Sequence, residues 1–308
     1  MAVPLDPAGA VPPALRDAVL GWYAATGRPL AFRATADPYA VLVSEAMAQQ
    51  TQAARAAEAW ERWMARWPTA PELAAAPVAD VLRAWAGLGY NRRALALHRA
   101  AKAIVVAHGG AVPADVEALE SLPGVGRYTA RAIAAIAFGS AVGAVDTNVR
   151  RVLGRVAAGD GGPEAIPAAA MQRLADAVVP PGAAAAWTHA LMDVGATLCR
   201  PRNPRCPACP AAPWCRYAAG ERTADAGAVR TQPRSGPAAV PFPATTRWLR
   251  GRIIERARGA EAGAWVTFAA SIGTHGPTAV REAIAALVDE GFLERRDGES
   301  GPEARLPG

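Results

Sequence analysis

The sequence contains few cysteines and almost no lysine. Lys102 is the only lysine, so arginine supplies nearly all of the positive charge. The four cysteines lie between positions 199 and 215, which leaves none to cross-link the rest of the chain. No apolar run reaches the roughly 18 residues that a membrane span needs, and Met1–Asp6 lacks the basic and apolar regions of a signal peptide. These absences predict a cytoplasmic protein without a membrane partner.

The composition indicates a folded protein with a mild preference for polyanions. Hydrophobic residues make up 52% of the chain and charged residues 19%, which excludes a disordered chain. The net charge of +6 favours partners such as nucleic acid. Between Arg200 and Arg258 there are twelve arginines and three acidic residues, a basic stripe suited to a phosphate backbone or to a solvated linker.

The residue pattern predicts a helical core. Residues 1–14 are rich in Pro and Ala and are expected to be mobile. Residues 15–217 have the periodicity of short amphipathic helices, with little strand signal. Asp37-Pro38 predicts a helix start, because Asp caps a helix and Pro fits its first turn. This helix is expected to run from Pro38 to about Trp67, with a break midway, and Pro68 is expected to end it.

The C-terminal part has a different pattern. Residues 218–245 form a basic, Pro-rich linker, and residues 246–308 predict a small winged-helix-like domain. This domain would comprise a helix near 246–258, a helix that begins at Pro277 and a hairpin that starts near Gly291. Its acidic composition argues against strong DNA binding by this domain alone.

The four cysteines form the strongest local signal. Their spacing is C-x6-C-x2-C-x5-C, over Cys199, Cys206, Cys209 and Cys215. Structural zinc prefers two separated C-x2-4-C pairs, whereas only one such pair is present. The spacing favours an iron–sulfur cluster with four Cys ligands over zinc or unligated thiols.

A second local signal is a tight turn between two helices. Leu122-Pro123-Gly124-Val125-Gly126 follows a short helix and precedes an Ala-rich helix that starts at Arg127. Closely spaced glycines and a helix N-terminus let backbone amides approach an anion. The pattern favours a helix-hairpin-helix that binds a DNA phosphate, with an ordinary interhelical turn as the alternative.

Taken in order, these motifs resemble the endonuclease III superfamily of helix-hairpin-helix base-excision DNA glycosylases. The hairpin, Val145-Asp146-Thr147-Asn148 and the four cysteines carry this resemblance. Three further stretches are similar to the MutY-type adenine DNA glycosylases: Ser44–Gln52, Trp85–Tyr90 and Ala190–Ala196. The resemblance covers residues 15–217. It implies a two-lobed helical core with a [4Fe-4S] cluster lobe, acting as a monomer on mispaired double-stranded DNA in the bacterial cytoplasm, with the nucleoid.

The resemblance also implies roles for individual residues. Glu45 would protonate adenine N7 and later handle the water, with a pKa raised by its apolar helix setting. Asp146 would stabilise an oxocarbenium ion or bond transiently to C1′, and Asn148 would orient these groups. Tyr128 stands where bifunctional relatives carry a lysine, which implies a monofunctional enzyme, and it would line the base pocket.

Other residues are implied in DNA binding. Gln50 and Thr51 would enter the duplex beside the opposite base, and Leu88 and Tyr90 would wedge next to it. Phosphate contacts are assigned to the hairpin, at Gly124, Gly126 and Arg127.

Four departures from the family pattern bear on base choice. The C-terminal segment shows no Nudix-like pattern, which would leave recognition of 8-oxoguanine to Gln50, Thr51, Leu88 and Tyr90. The usual Asp-Gly-Asn is Asp146-Thr147-Asn148, the usual Pro-Trp-Arg is Ala31-Phe32-Arg33, and His189 replaces a Gln or Glu that faces the pocket.

Three alternatives stay open. The motifs favour removal of adenine opposite 8-oxoguanine or guanine, but Thr147 and Tyr128 also fit a thymine/uracil mismatch glycosylase. The clustered cysteines and the basic stripe alone would permit a non-catalytic iron–sulfur DNA-binding regulator, or a module stabilised by zinc.

Overall fold

The computed structural model describes residues 7–162, 165–221 and 240–308. The helices in these ranges are α1 (Pro7–Ala10), α2 (Pro13–Thr26), α3 (Pro38–Ala48), α4 (Ala53–Arg66), α5 (Ala70–Ala75), α6 (Val78–Ala84), α7 (Arg92–His108), α8 (Val116–Glu120), α9 (Arg127–Ala137), α10 (Thr147–Ala158), α11 (Ala168–Ala177), α12 (Ala184–Asp193), α13 (Thr246–Gly259) and α14 (Pro277–Asp289). The strands are β1 (Val266–Thr267), β2 (Glu294–Gly298) and β3 (Gly301–Arg305). The predicted fold class, an all-α core with a small C-terminal winged-helix-like domain, is confirmed, and the strands form one small sheet. Among the described helices, none combines the length and apolarity that crossing a membrane requires.

The chain divides into two compact units. The first comprises Met1–Glu61 and Val112–Thr231, and the second comprises Arg62–Ala111 and Gln232–Gly308. Within the second unit the C-terminal segment packs with the preceding helices, and the amide of Ala79 donates to the carbonyl of Pro307 at 3.0 Å. The predicted domain boundaries at 217 and 245 stay predictions, and residues 1–6 and 222–239 lie outside the described residues.

Local signals in the sequence set the start and the break of α3. The Asp37 side chain accepts from the Ala40 amide at 2.7 Å, and Pro38 occupies the first turn. The predicted midway break falls at residues 49–52, where Gln50 adopts a left-handed conformation with φ of 52°. The break therefore turns the chain at the end of the helix that carries Glu45.

The first unit has one apolar core built from α2, α9, α10, α11 and α12. Its buried side chains include Leu15, Leu153, Leu174 and Trp187. Within the N-terminal stretch expected to be mobile, Pro7–Ala10 form α1 and Val11 is buried in this core. Helix α12 continues into a π-helical turn over Val194–Leu198, a feature frequent at functional sites. Residues of α3, α9, α10 and α12 line one cleft in this unit.

The second unit combines helices α5–α7 with the C-terminal elements. The rings of Trp63 and Trp85 pack edge to face at 5.6 Å between centroids. Helix α13 starts and ends within one residue of the predicted positions, α14 begins at Pro277 as predicted, and the hairpin of β2 and β3 follows. Strand β1, which the sequence did not predict, pairs antiparallel with β3 and gives the sheet order β1-β3-β2. The order helix, strand, helix, hairpin is winged-helix-like.

Candidate active site

A cleft of about 1070 Å³ in the first unit brings together most of the predicted catalytic residues. Helix α3 contributes Glu45, α9 contributes Tyr128, and the start of α10 contributes Asp146 and Asn148. These side chains come from separate parts of the sequence, and the packing of the first unit brings them to the same cleft.

Glu45, the predicted acid, lines the cleft. Burial raises the pKa of its carboxyl to about 7, and the charge of Asp146 adds to this, whereas a hydrogen bond from Tyr128 and the charge of Arg33 oppose it. A carboxyl with this pKa holds a proton near neutral pH and can also release it. Glu45 therefore has the protonation behaviour of a general acid.

Tyr128 lies directly against Glu45. Its hydroxyl interacts electrostatically with the Glu45 carboxyl and donates to Met192 Sδ at 4.0 Å. Burial and the charges of Glu45 and Asp146 raise the pKa of Tyr128 well above its usual value. Tyr128 is therefore a neutral hydrogen-bond donor in the cleft rather than a nucleophile.

Asp146 caps α10 and faces the cleft at the same time. Its Oδ1 accepts from the Val149 amide at 2.6 Å, and its Oδ2 accepts from Asn148 Nδ2 at 3.0 Å. The extended backbone at Asp146 is usual for an N-cap. Because both oxygens are held, the carboxylate has a fixed direction, and this position suits an anion that stabilises a developing positive charge.

Arg151, one helical turn beyond, fixes Asn148. Its Nη2 donates to Asn148 Oδ1 and to the Gly195 carbonyl, both at 2.8 Å, and its Nε donates to the Cys199 carbonyl at 2.6 Å. Gly195 is required at this contact, since a Cβ there would lie 2.5 Å from the Cβ of Asn148. The asparagine that orients Asp146 is thereby connected to the backbone of the first cysteine.

A buried ion network adjoins the cleft, since Arg28 and Arg33 also line it. Asp193 is fully buried and accepts two hydrogen bonds from the Arg33 guanidinium, both at 2.8 Å. It also accepts from Arg28 Nε at 2.6 Å and from the Arg28 amide at 2.9 Å. Burial alone would raise the pKa of Asp193, but the hydrogen bonds from Arg33 and Arg28 outweigh it and hold the pKa below its usual value.

Asp193→Asn is expected to lower the free energy of unfolding by about 3 to 5 kcal/mol at neutral pH, because it leaves a buried guanidinium without its counter-charge. The matched control is Asp80→Asn, which removes an exposed partner of Arg66 and is expected to change stability by less than about 1 kcal/mol. Urea unfolding measures the free energy of unfolding of both variants. Since the native pKa of Asp193 is depressed, the wild-type advantage should be present above about pH 4 and shrink as the pH falls further. Equal effects of the two variants would contradict the structural role of this network.

His189 also lines the cleft. It is buried on α12, and its ring centroid lies 6.3 Å from that of Tyr23. Burial lowers the pKa of His189 to about 4, and the nearby charge of Arg33 acts in the same direction. The imidazole is therefore neutral at physiological pH and presents one donor and one acceptor nitrogen.

The break after α3 forms the rim of the cleft. Gln50 is exposed there in its left-handed conformation, and Thr51 Oγ1 donates to the Gln49 carbonyl at 3.2 Å. Gln49 Nε2 reaches Thr129 Oγ1 at 3.4 Å. A non-glycine residue with positive φ is strained, and such strain clusters at functional sites. The structure thus places Gln50 at the mouth of the cleft, in a turn that the hydrogen bonds of Gln49 and Thr51 hold in place.

The predicted hairpin lies between α8 and α9. Leu122 and Val125 are buried and anchor it, whereas Gly124 and Gly126 are exposed. Gly124 has φ of 78°, which favours glycine, and Gly126 is the N-cap of α9 with open space where a side chain would stand. The first amides of α9 are thereby accessible beside the exposed Arg127, an arrangement that suits an anion.

The remaining predicted DNA-binding residues belong to the second unit. Tyr90 is 44% exposed and left-handed with φ of 46°, whereas Leu88 is only 6% exposed. The loop therefore presents Tyr90, and a DNA contact by Leu88 would require this loop to open.

The four cysteines line one small cavity in the first unit and form no disulfide. Within the described ranges, no three His, Cys, Asp or Glu side chains converge closely enough to hold one metal ion. The four sulfur atoms line a cavity and do not converge on one position, and this arrangement fits a cluster of several atoms better than a single zinc ion. The buried Arg155 supplies compensating charge, since its Nη1 is 3.3 Å from Cys199 Sγ. The residues present therefore fit an iron–sulfur cluster.

Sequence reasoning gave no role to four of these residues. Arg28, Asp193, Arg151 and Gly195 act through contacts with partners distant in the chain. One signal was available for Asp193, because a lone carboxylate in the apolar run Ala190–Gly195 needs a buried counter-charge. No comparable signal marks the others.

Comparisons with known proteins agree with this geometry. Residues 43–176 match the family described as HhH-GPD superfamily base excision DNA repair protein. An adenine DNA glycosylase of Mycobacterium tuberculosis is 43% identical over 248 residues, covering 79% of this chain and 78% of the relative. A thymine/uracil-DNA glycosylase of Methanothermobacter thermautotrophicus is 30% identical and covers 65% of this chain and 90% of the relative.

Among solved structures, a thermostable thymine-DNA glycosylase superposes with a TM-score of 0.61 at 28% identity, covering 67% of this chain and 95% of the other. The higher identity to the adenine enzyme, over more of the chain, agrees with the three stretches around Glu45, Tyr90 and Asp193. The chain belongs to the HhH-GPD superfamily of base-excision DNA repair proteins and, within it, to the MutY-type adenine DNA glycosylases.

Proposed function

We propose that the protein removes adenine mispaired with 8-oxoguanine or guanine in double-stranded DNA by hydrolysing its N-glycosidic bond. The observation that carries the proposal is the Glu45 carboxyl, whose pKa burial raises to about 7, in the same cleft as Tyr128 and Asp146. A carboxyl that can donate a proton near neutral pH and a second carboxyl group near the sugar are the pair that glycoside cleavage requires.

The chemistry divides between these two carboxyl groups. Glu45 gives its proton to N7 of the flipped adenine, and the C1′–N9 bond breaks with its electron pair going to N9. Asp146 stabilises the oxocarbenium ion that remains. Water then adds to C1′, its proton returns to the Glu45 carboxylate, and the products are free adenine and an abasic site.

The same residues support a monofunctional reaction. A bifunctional glycosylase needs an amine that forms a Schiff base with the sugar, and Tyr128 has none. The only lysine in the sequence is Lys102, on α7 in the second unit. The proposal is therefore hydrolysis without strand cleavage.

The DNA contacts follow from the exposed turns. Gly124, Gly126 and Arg127 bind a phosphate at the hairpin, and Gln50 and Thr51 contact the opposite base at the mouth of the cleft. Tyr90, and Leu88 if its loop opens, fill the space left by the flipped adenine. The choice of opposite base rests on the side chains of Gln50, Thr51, Leu88 and Tyr90. The protein acts as a monomer in the bacterial cytoplasm, with the nucleoid.

A [4Fe-4S] cluster held by Cys199, Cys206, Cys209 and Cys215 is part of the proposal. Such a cluster supplies four iron–thiolate bonds that tie the loop together, while Arg155 donates to the Arg200 and Pro201 carbonyls of the loop at 2.9 and 3.2 Å. Protein purified without oxygen is expected to be brown, with broad visible absorbance and close to four iron atoms per chain, and Cys209→Ser should lose both. Stoichiometric zinc and a colourless protein would contradict the assignment.

A single-turnover assay on duplexes containing A·8-oxoguanine, A·G, A·C, T·G or U·G tests the function. Strand breaks that require alkali, confined to A·8-oxoguanine and A·G, are the expected result. Cleavage of T·G or U·G would favour the activity named for the archaeal relative. Tight binding without cleavage of any duplex would favour a non-catalytic regulator.

A further inference from the structure

The second unit contains a groove of about 1250 Å³ that the proposed chemistry does not use. The loop 87–91 forms one side, and the first half of α13 with the preceding turn forms the other. The lining residues that supply its charge and its exposed rings are Tyr90, Arg92, Phe242, Arg247, Arg250 and Arg252. We refer to it as the α13 groove.

The charge of the α13 groove is positive and only partly compensated. Glu290 bridges Arg92 at 2.9 Å and Arg250 at 2.7 Å, and its pKa is lowered to about 2 by these hydrogen bonds. Arg252 pairs with Glu255 at 2.6 Å. In the part of the chain that the structure describes, Arg247 makes no ion pair, and its guanidinium lies 4.3 Å from the Tyr90 ring centroid.

Exposed aromatic rings accompany this charge. Phe242 is 58% exposed and Tyr90 is 44% exposed. The loop holds Tyr90 outward, because Arg93 Nη2 donates to the Leu88 carbonyl at 3.1 Å and Trp85 Nε1 donates to the Gly89 carbonyl at 2.9 Å. Arginine interleaved with exposed aromatic rings is a pattern suited to nucleic acid.

We propose that the α13 groove binds the phosphodiester backbone of duplex DNA, with Arg247 contacting a phosphate and orienting Tyr90 by stacking. Arginine suits both tasks, since its planar guanidinium stacks on a ring and still donates to phosphate oxygens. The inference rests on the proposed function for the identity of the nucleic acid. It also revises the expectation drawn from the acidic C-terminal composition, because the acidic residues lie mainly beyond α13 while α13 itself is rich in arginine.

The test compares Arg247→Ala with Arg281→Ala in the full-length protein. Arg281 is exposed on α14 outside the groove, so its removal changes the net charge equally. Fluorescence anisotropy with an undamaged duplex and with one containing a stable abasic-site analogue measures affinity against salt. Arg247→Ala is expected to weaken binding about tenfold and to reduce the salt slope by about one, as for a lost phosphate contact. Arg281→Ala should change affinity less than twofold.

Two further variants keep the test decisive. Arg247→Lys keeps the charge without the planar stacking, and it should restore the salt slope but not the full affinity. If circular dichroism shows that Arg247→Ala does not fold, Arg252→Gln tests the groove independently. Equal effects at Arg247 and Arg281, or unchanged binding by folded groove variants, would overturn the inference. If Arg247→Ala weakens binding while the wild-type protein releases no adenine, the groove assignment stands and the proposed function fails.

Discussion

Glu45→Gln is expected to slow adenine excision by about 10²- to 10⁴-fold under single-turnover conditions, the usual contribution of a positioned general acid. Glutamine keeps the shape of the side chain and removes the proton that Glu45 would give to N7. The pKa of about 7 adds a second expectation. Because the protonated form is the active one, the wild-type rate should be flat below about pH 6 and fall tenfold per pH unit above about pH 8.

The matched control is Glu58→Gln, an exposed carboxylate on α4 that does not line the cleft. It should leave the rate and the pH profile unchanged. Glu45→Gln should retain DNA affinity and fold at least as well as wild type at pH 8, since burial disfavours the charged Glu45 in the folded state at that pH. An excision rate within tenfold of wild type would remove Glu45 as the acid.

Asp146→Asn is expected to slow excision by about 10²- to 10³-fold, the usual loss when one preorganised electrostatic partner of a transition state is removed. Asparagine caps helices as well as aspartate does, so the contact with the Val149 amide and the start of α10 should persist. The variant therefore separates the negative charge of Asp146 from its structural role.

Asp146→Ala completes the comparison. It should lose the activity and, in addition, about 1 kcal/mol of stability, because the helix cap is lost. Thermal unfolding and single-turnover rates measured on the same preparations distinguish the two effects. Full activity of Asp146→Asn would show that Asp146 is a cap and nothing more.

The sequence predicted the parts of this protein that depend on neighbouring residues. Asp37-Pro38 marks the start of α3, and the glycines of the hairpin mark the turn before α9, because capping and positive φ are local requirements. The raised pKa of Glu45 was likewise expected from its apolar neighbours on the same helix. Resemblance to a family then placed Glu45, Tyr128 and Asp146 in one site, which periodicity alone could not do.

Residues that act through distant contacts were not predicted. Asp193 meets Arg28 and Arg33 across some 160 positions of sequence, and Gly195 is needed only because Asn148 packs against it. The position of Leu88 illustrates the same limit. Its neighbours predict a turn, but whether its side chain faces solvent or the core depends on the packing of the whole second unit, and in the structure it is buried.

Strand β1 and the α13 groove have a similar explanation. Val266–Thr267 is too short for a recognisable alternating pattern and becomes a strand only by pairing with β3. The sequence placed the α13 arginines in the basic stripe that ends at Arg258, but it did not predict a groove with Tyr90, because Tyr90 lies far from α13 in the chain. Helix α13 directs its arginines towards the Tyr90 loop within the same unit.

The central claim is that the cleft between Glu45 and Asp146 hydrolyses the bond between adenine and its sugar. Its most direct test is a single-turnover reaction of an A·8-oxoguanine duplex, followed by mass spectrometry of the released base and of the borohydride-reduced abasic strand. The expected result is one free adenine per duplex and one uncleaved abasic strand, and neither product with Glu45→Gln on the same timescale. Release of adenine at the same rate by Glu45→Gln, or an intact duplex after tight binding by the wild-type protein, would contradict the account.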